Sequence, residues 1–168
     1  QDLTGYWATE LGVPYAGLAA LSQLLITSKG SAPATHRVSF FTTHGGGASA
    51  APGARLNKVA SMLNGYDVDV ALMWHLHFKT HLTQRLLGIT ANGTRKVRDR
   101  VGAMCGTFLD GHASGISSYA ELKGYSPTVL GPIVVHIKRE VGHGATKSDP
   151  NRGTGYTRIW ISDAITED

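Results

Sequence analysis

The stretch from Arg37 to Met73 constrains the fold more than any other part of the chain. Arg37-Val-Ser-Phe-Phe-Thr-Thr43 has the β-branched and aromatic content of a buried strand, and it runs straight into the glycine loop His44-Gly45-Gly46-Gly47. From Ala54 to Leu63, the residues Leu56, Val59, Ala60 and Leu63 recur at helical spacing, so a short helix turns one apolar face to a sheet, and Asn64-Gly65 ends it. Val68 to Met73 then reads as a central strand. Two strands joined through a single helix pair in parallel by a right-handed crossover, because a right-twisted strand feeding a right-handed helix returns to its sheet only that way. Parallel neighbours bring their C-terminal ends together, at the edge where open α/β sheets bind ligands.

Around this unit the patterns are simpler. Thr4 to Leu11 has helical character, which Val13-Pro14-Tyr15 interrupts because proline disfavours helix in the residue before it. Leu18 to Thr27 fits either a strand or a helix. Thr83 to Thr90 and Thr94 to Val101 read as strands joined through Asn92-Gly93, the pair suited to a type I′ hairpin turn. Ala103 to Leu109, Ile133 to Lys138 and Tyr156 to Ile161 complete the strands, with a short helix around Ser118 to Leu122. Residues 142–155 are too polar for a core and read as a long hairpin loop. The expected class is α/β, a strand-helix-strand unit followed by mainly antiparallel strands, with residues 1–168 forming a single domain.

Composition narrows the function classes. Hydrophobic residues are 42% and charged residues 17% of the 168, against a usual charged share of about 25%, which is globular rather than disordered. No apolar stretch approaches the roughly 18 residues that cross a bilayer, so a water-soluble chain without a membrane partner is expected, with secretion left open. Cys105 is the single cysteine, which excludes an internal disulfide and a four-cysteine metal site. A net charge of +4 suits an anionic ligand but is too mild to point to nucleic acid as the main partner. The chain begins at Gln1 rather than Met, as expected of a processed product or a piece of something longer.

Histidine carries the chemical signal. His75 and His77 are two apart on or just past a strand, so their side chains are expected on one face, within reach of one metal or a close pair. His44 ends the neighbouring strand, so the three are expected to converge as metal ligands. Gly45 and Gly46 are the candidate substrate-binding positions, where backbone can approach a ligand closely. The loop is also similar to the oxyanion-hole loop of lipases, but no Gly-x-Ser-x-Gly elbow exists; the nearest run is Gly115-Ile-Ser-Ser-Tyr119, which excludes a serine hydrolase. Lys96, Arg98 and Arg100, with Arg95 beside them, read as a solvated basic face. Asn92-Gly93-Thr94 forms a glycosylation sequon that the hairpin explains by itself. Cys105 reads as a small buried hydrophobe. His36, His81, His112, His136 and His143 show no ligand spacing and are assigned to structure.

Taken together, Thr43-His44-Gly45-Gly46-Gly47, a helix, and Asp69-Val-Ala-Leu-Met-Trp-His75-Leu-His77 resemble the second half of a calcineurin-like metallophosphoesterase of the small phage and prophage kind. Gly106-Thr-Phe-Leu109, Ser118-Tyr-Ala-Glu121 and Lys123-Gly-Tyr-Ser-Pro127 extend the resemblance, which covers Leu11 to Lys138. It implies part of a four-layer α/β/β/α sandwich and a two-metal site acting on a phosphoester, holding manganese, iron, zinc or magnesium. Under it, His44 and His75 are ligands of one cation and His77 of the other, and no residue here is carried over as catalytic. The family's earlier motifs, Asp-x-His, Gly-Asp-x-x-Asp and Gly-Asn-His-Asp/Glu, are absent from the sequence ahead of His44. Trp74 replaces the glycine before the paired histidines, where its bulk is expected to crowd the metal edge. An incomplete or inactive phosphoesterase is thus one expectation, and a non-enzymatic self-assembling structural or virion-associated protein, a homo-oligomer on the same scaffold, is the other; the resemblance to phage members implies a cytoplasmic or virion-associated location. A single-metal site with an open position is a third use of the same histidines.

Overall fold

The computed structural model describes residues 3–27, 35–47, 51–115, 117–141 and 155–163. In chain order these form α1 (Leu3–Glu10), β1 (Ala19–Thr27), β2 (Thr35–Thr43), α2 (Pro52–Gly65), β3 (Val70–Met73), β4 (Lys79–Ile89), β5 (Arg95–Cys105), α3 (Tyr119–Leu122), β6 (Ile133–Val141) and β7 (Gly155–Asp163). A five-stranded sheet runs β1-β2-β3-β5-β4, and β6 and β7 form a separate two-stranded ribbon. The β2–α2–β3 unit is the expected parallel crossover, with Phe40 opposite Val70 and Thr43 opposite Met73. β3 pairs in parallel with β5 as well, while β1 and β4 close the two edges in antiparallel fashion. The class is mixed α/β with a mainly sheet core. No helix among the described residues is long and apolar enough to cross a membrane.

Strand alternation divides the core in two. On one face Phe41, Ala71, Met73 and Met104 meet Val59, Met62 and Leu63 of α2, with Val68 at the entry to β3. On the other face Val38, Val70, Val101 and Ala103 meet Ile159 and Ile161 of the ribbon. Helix, sheet and ribbon thus make three layers, and β3 is short and apolar because both of its faces are covered. α2 sits so close to β5 that a Cβ at Gly102 would lie 2.7 Å from Val59 Cγ1 and 3.0 Å from Leu63 Cδ1. Glycine there is a packing requirement.

Three expectations need correction. The hairpin between β4 and β5 turns through Ala91-Asn92-Gly93, closed by the Thr90 N–H to Thr94 carbonyl bond, and only Gly93 has positive φ. That is the three-residue loop with a left-handed glycine, since a type I′ turn would need Asn92 left-handed too. The strand expected from Ala103 to Leu109 does not stand alone: its first three residues end β5, and Gly106, at φ +81°, breaks the run. The basic strip is a solvated face only at Arg95 and Lys96, which are exposed; further along, Arg98 and Arg100 are covered on the α2 side of β5. Arg100 is only 5% exposed and donates to the Tyr66 carbonyl and to Gln84 Oε1. Arg98 donates to Asp69, Asp67 and the Ser39 hydroxyl. Of the expected polar loop 142–155, Gly155 belongs to β7 and the rest lies outside the described residues; Val141 and Gly155 face each other across the ribbon.

Asp69 is the centre of the polar network. Its Oδ2 accepts both the backbone N–H and the hydroxyl of Ser39 at 2.7 Å, and its Oδ1 accepts Arg98 Nε at 2.8 Å. Burial alone would raise the Asp69 carboxyl, but these hydrogen bonds from Ser39 and Arg98 outweigh it and hold the group below the usual carboxylate value. Asp69→Ala should therefore cost about 2–4 kcal/mol in urea denaturation, since it leaves Arg98 Nε and the Ser39 N–H without their acceptor, whereas removing the exposed Asp99–Arg85 pair should cost less than about 1 kcal/mol. Because the folded-state value is depressed, Asp69's contribution is complete above the ordinary carboxylate value of 3.8 and is lost as pH falls through the lowered one. A wild-type advantage over Asp69→Asn that survived unchanged to the acid end of the titration would contradict this.

Candidate metal centre

The site is built where β2 and β3 end together. Past the Thr43–Met73 pair, the Trp74 N–H donates to the Thr43 carbonyl, and the His44 N–H donates to the Leu18 carbonyl ahead of β1. The chain after Trp74 then reverses: the Leu76 N–H returns to the Trp74 carbonyl at 2.7 Å, with His75 at φ +66° and His77 at φ +48°. Leu76 between them packs on the α2-side core. Two non-glycine residues are thus held left-handed on either side of an anchored leucine, a conformation that costs each roughly 1–2 kcal/mol.

The turn decides where the imidazoles go. Strand alternation would have put His75 and His77 on one face, but both lie beyond β3, so alternation does not govern them. His75 Nδ1 lies 3.1 Å from His44 Nε2, with the rings edge to face and their centroids 4.9 Å apart. His77 stands apart from this pair, its Nδ1 3.3 Å from Thr107 Oγ1. Thr107 in turn is held by a bridge to Gly131 and accepts the Leu109 N–H.

The glycine loop is shaped by contact. Gly45, at φ +78°, has no room for a side chain, because its Cβ would lie 2.7 Å from Met73 Cγ. Its N–H donates to Thr43 Oγ1, and Lys58 of α2 ties the loop down through a 2.7 Å bond to the Gly46 carbonyl. Space above Gly46 is open, with nothing within 4 Å of a Cβ placed there.

The imidazole pair fits one divalent cation as two adjacent ligands. Metal–nitrogen bonds of about 2.0–2.1 Å at angles between a right angle and the tetrahedral one separate two ligand nitrogens by about 2.8–3.4 Å, and the pair stands at 3.1 Å. Without a cation, one of the two nitrogens must carry the proton that joins them. Among the described residues, no group of three His, Cys, Asp or Glu side chains comes together to hold a metal ion.

The other chemistry-bearing residues lie away from this pair, and His36 Nε2 is buried without a hydrogen-bond partner among the described residues. His112 Nε2 meets the Tyr125 carbonyl, and His136 bonds Ser162 and stacks on Trp160. His36 is half-buried in β2, His81 edges a groove with Lys79 and Asp163, and His143 lies outside the described residues. Burial pushes the Cys105 thiol up to about 11, only partly offset by a backbone bond from Met73, so it is protonated and unreactive at neutral pH. Beside His44 an open cleft of about 380 Å³ runs between Tyr15 and Trp74 over Ala19, Ala20, Thr42 and Thr43. Tyr15 was no candidate in the sequence, whose only signal here was the bulk of Trp74, and that bulk edges the cleft instead of parting His44 from His75.

Because His75 and His77 have positive φ, glycine should be better tolerated than alanine at both positions. His75→Gly and His77→Gly should each be about 1 kcal/mol more stable than the matching alanine variants in urea denaturation. Equal stabilities would mean the backbone is not left-handed there. No protein-family model matches the chain, and no curated protein or solved structure is significantly similar to it, so the chemistry has to be read from the residues.

Proposed function

We propose that the chain is a metal-dependent phosphoesterase-like domain in which His44 and His75 hold one divalent cation and His77 is turned towards a second. The observation that carries this reading is the 3.1 Å approach of two imidazole nitrogens across the aligned C-terminal ends of parallel strands β2 and β3. A bound pair of such cations would supply an activated hydroxide and neutralise charge on the phosphoryl oxygens. The chain's own residues do the positioning. Leu76 and the left-handed turn aim His75 at His44, Thr107 fixes the His77 ring, and the open backbone at Gly46 leaves room for a substrate oxygen. Two imidazoles without a third ligand among the described residues make a weak site, so strong binding and fast turnover require carboxylates from another polypeptide segment.

Elemental analysis of the purified chain with a titration of Mn²⁺ or Zn²⁺ tests this. Cation-dependent stabilisation and slow hydrolysis of bis(p-nitrophenyl) phosphate are expected, both lost in His44→Ala and His75→Ala. No cation-dependent change in the wild-type chain would sink the proposal.

A second reading, a self-assembling structural subunit, is favoured by edge strand β1. It exposes Leu21, Leu24 and Leu25 at 69%, 45% and 56%, and its nine residues include no charge and no proline to blunt the edge. A homo-oligomer would bury these leucines. In sedimentation velocity the chain should then run larger than a monomer and be shifted back by Leu21→Lys/Leu25→Lys; a monomer at all concentrations would remove this reading.

A further inference from the structure

We propose that the cleft beside the imidazole pair is a subsite for a flat aromatic ring, a nucleobase or aryl group carried by the phosphoester, and that Trp74 is the side chain that stacks on it. The phosphoester comes from the function proposed above; the ring subsite rests on the cleft.

The sheet register makes the cleft. Ala20 is paired with Thr42, so two small side chains share one face at the end of the sheet where β2 and β3 stop, and the adjoining Ala19–Thr43 pair reaches the edge of the cleft. Tyr15, 46% exposed, comes from the segment ahead of β1, and Trp74, 41% exposed, comes from the residue after β3. The volume of about 380 Å³ is that of a small-ligand site and exceeds what a single ring needs. Among the described residues no Lys, Arg, Asp or Glu lines it, which does not suit the phosphate itself. Aromatic walls, a small floor and the Thr42 hydroxyl suit an uncharged planar group with polar edges. His44 lines the same cleft and also meets His75, so a ring held against Trp74 leaves its attached phosphoryl group at the imidazole pair. The 41%-exposed indole also gains apolar burial when a ring covers it.

The test uses the full chain without added metal, with adenosine as the probe and ribose, which lacks the aromatic base, as the control. The indole Nε1–H resonances of ¹⁵N-labelled protein are followed, that of Trp74 being assigned by its loss in Trp74→Leu. Adenosine should shift the Trp74 resonance and ribose should not. Adenosine affinity, read from the remaining backbone shifts, should fall about tenfold in Trp74→Leu and also in Tyr15→Ala, with far-UV circular dichroism unchanged. Equal effects of adenosine and ribose, or adenosine affinity unaltered in both variants, would overturn the proposal. Adenosine carries no phosphate, so this outcome is separate from the fate of the phosphoesterase reading, which cation-dependent hydrolysis and its loss in His75→Ala decide.

Discussion

The Asp69 carboxylate holds the register on which the rest of this structure depends. It stands one residue before β3 and binds Ser39 of β2 on one side and Arg98 of β5 on the other, so one side chain pins the three parallel strands to each other. Four residues further along, the same register puts Thr43 beside Met73, and the two chains leave the sheet together as His44 and Trp74. A slip of one residue would move one strand about 3.3 Å past the other and turn its side chains to the opposite face. Neither the 3.1 Å imidazole approach nor the two separate cores would survive that slip. The polar network is therefore a condition of the site although it lies at the other end of the strands.

Much of the framework could be read from residue patterns, because the signals were local. The β-branched run of β2, the helical spacing within α2 and the apolar β3 each point to one element, and chain handedness then fixes the parallel pairing. What could not be read depended on neighbours distant in sequence. Arg98 and Arg100 look like surface cations beside Lys96 and Asp99, yet β5 lies between β3 and β4, and the α2 side of its even positions is already enclosed. There a cation persists only with partners, which Asp67, Asp69, Gln84 and the Tyr66 carbonyl provide. The hairpin loop was misread for a smaller reason: Asn92-Gly93 suits two loop lengths, and the Thr90–Thr94 backbone bond selects the longer.

The candidate centre was half legible. The sequence brought three histidines to one sheet edge through the parallel crossover. It could not show that His75 and His77 lie in a left-handed turn, where the period of two fails. The anchor is Leu76, an ordinary aliphatic residue with no chemical signature, whose packing against the α2-side core holds the turn. Strain of this sort persists only where the surroundings over-determine the backbone. Here they do: the Leu76 side chain, the Leu76 N–H bond to Trp74 and the Trp74 N–H bond to Thr43 all act on four successive residues.

The same turn explains how a tryptophan is accommodated beside the paired histidines. Met73 points into the α2 side, where it presses on Gly45, so Trp74, next along the strand, turns to the opposite face. On that face its neighbours are Ala20, Thr42 and Leu18, which are too small or too far out to bury an indole. The bulk expected to crowd the histidines is thus carried to one side of them and becomes the wall of a cleft that His44 also lines. A glycine at this position would leave the cleft without that wall. One of the chain's three tryptophans thus stands where it is neither core nor metal ligand, and a planar group bound beside the imidazole pair would give its indole a covered face.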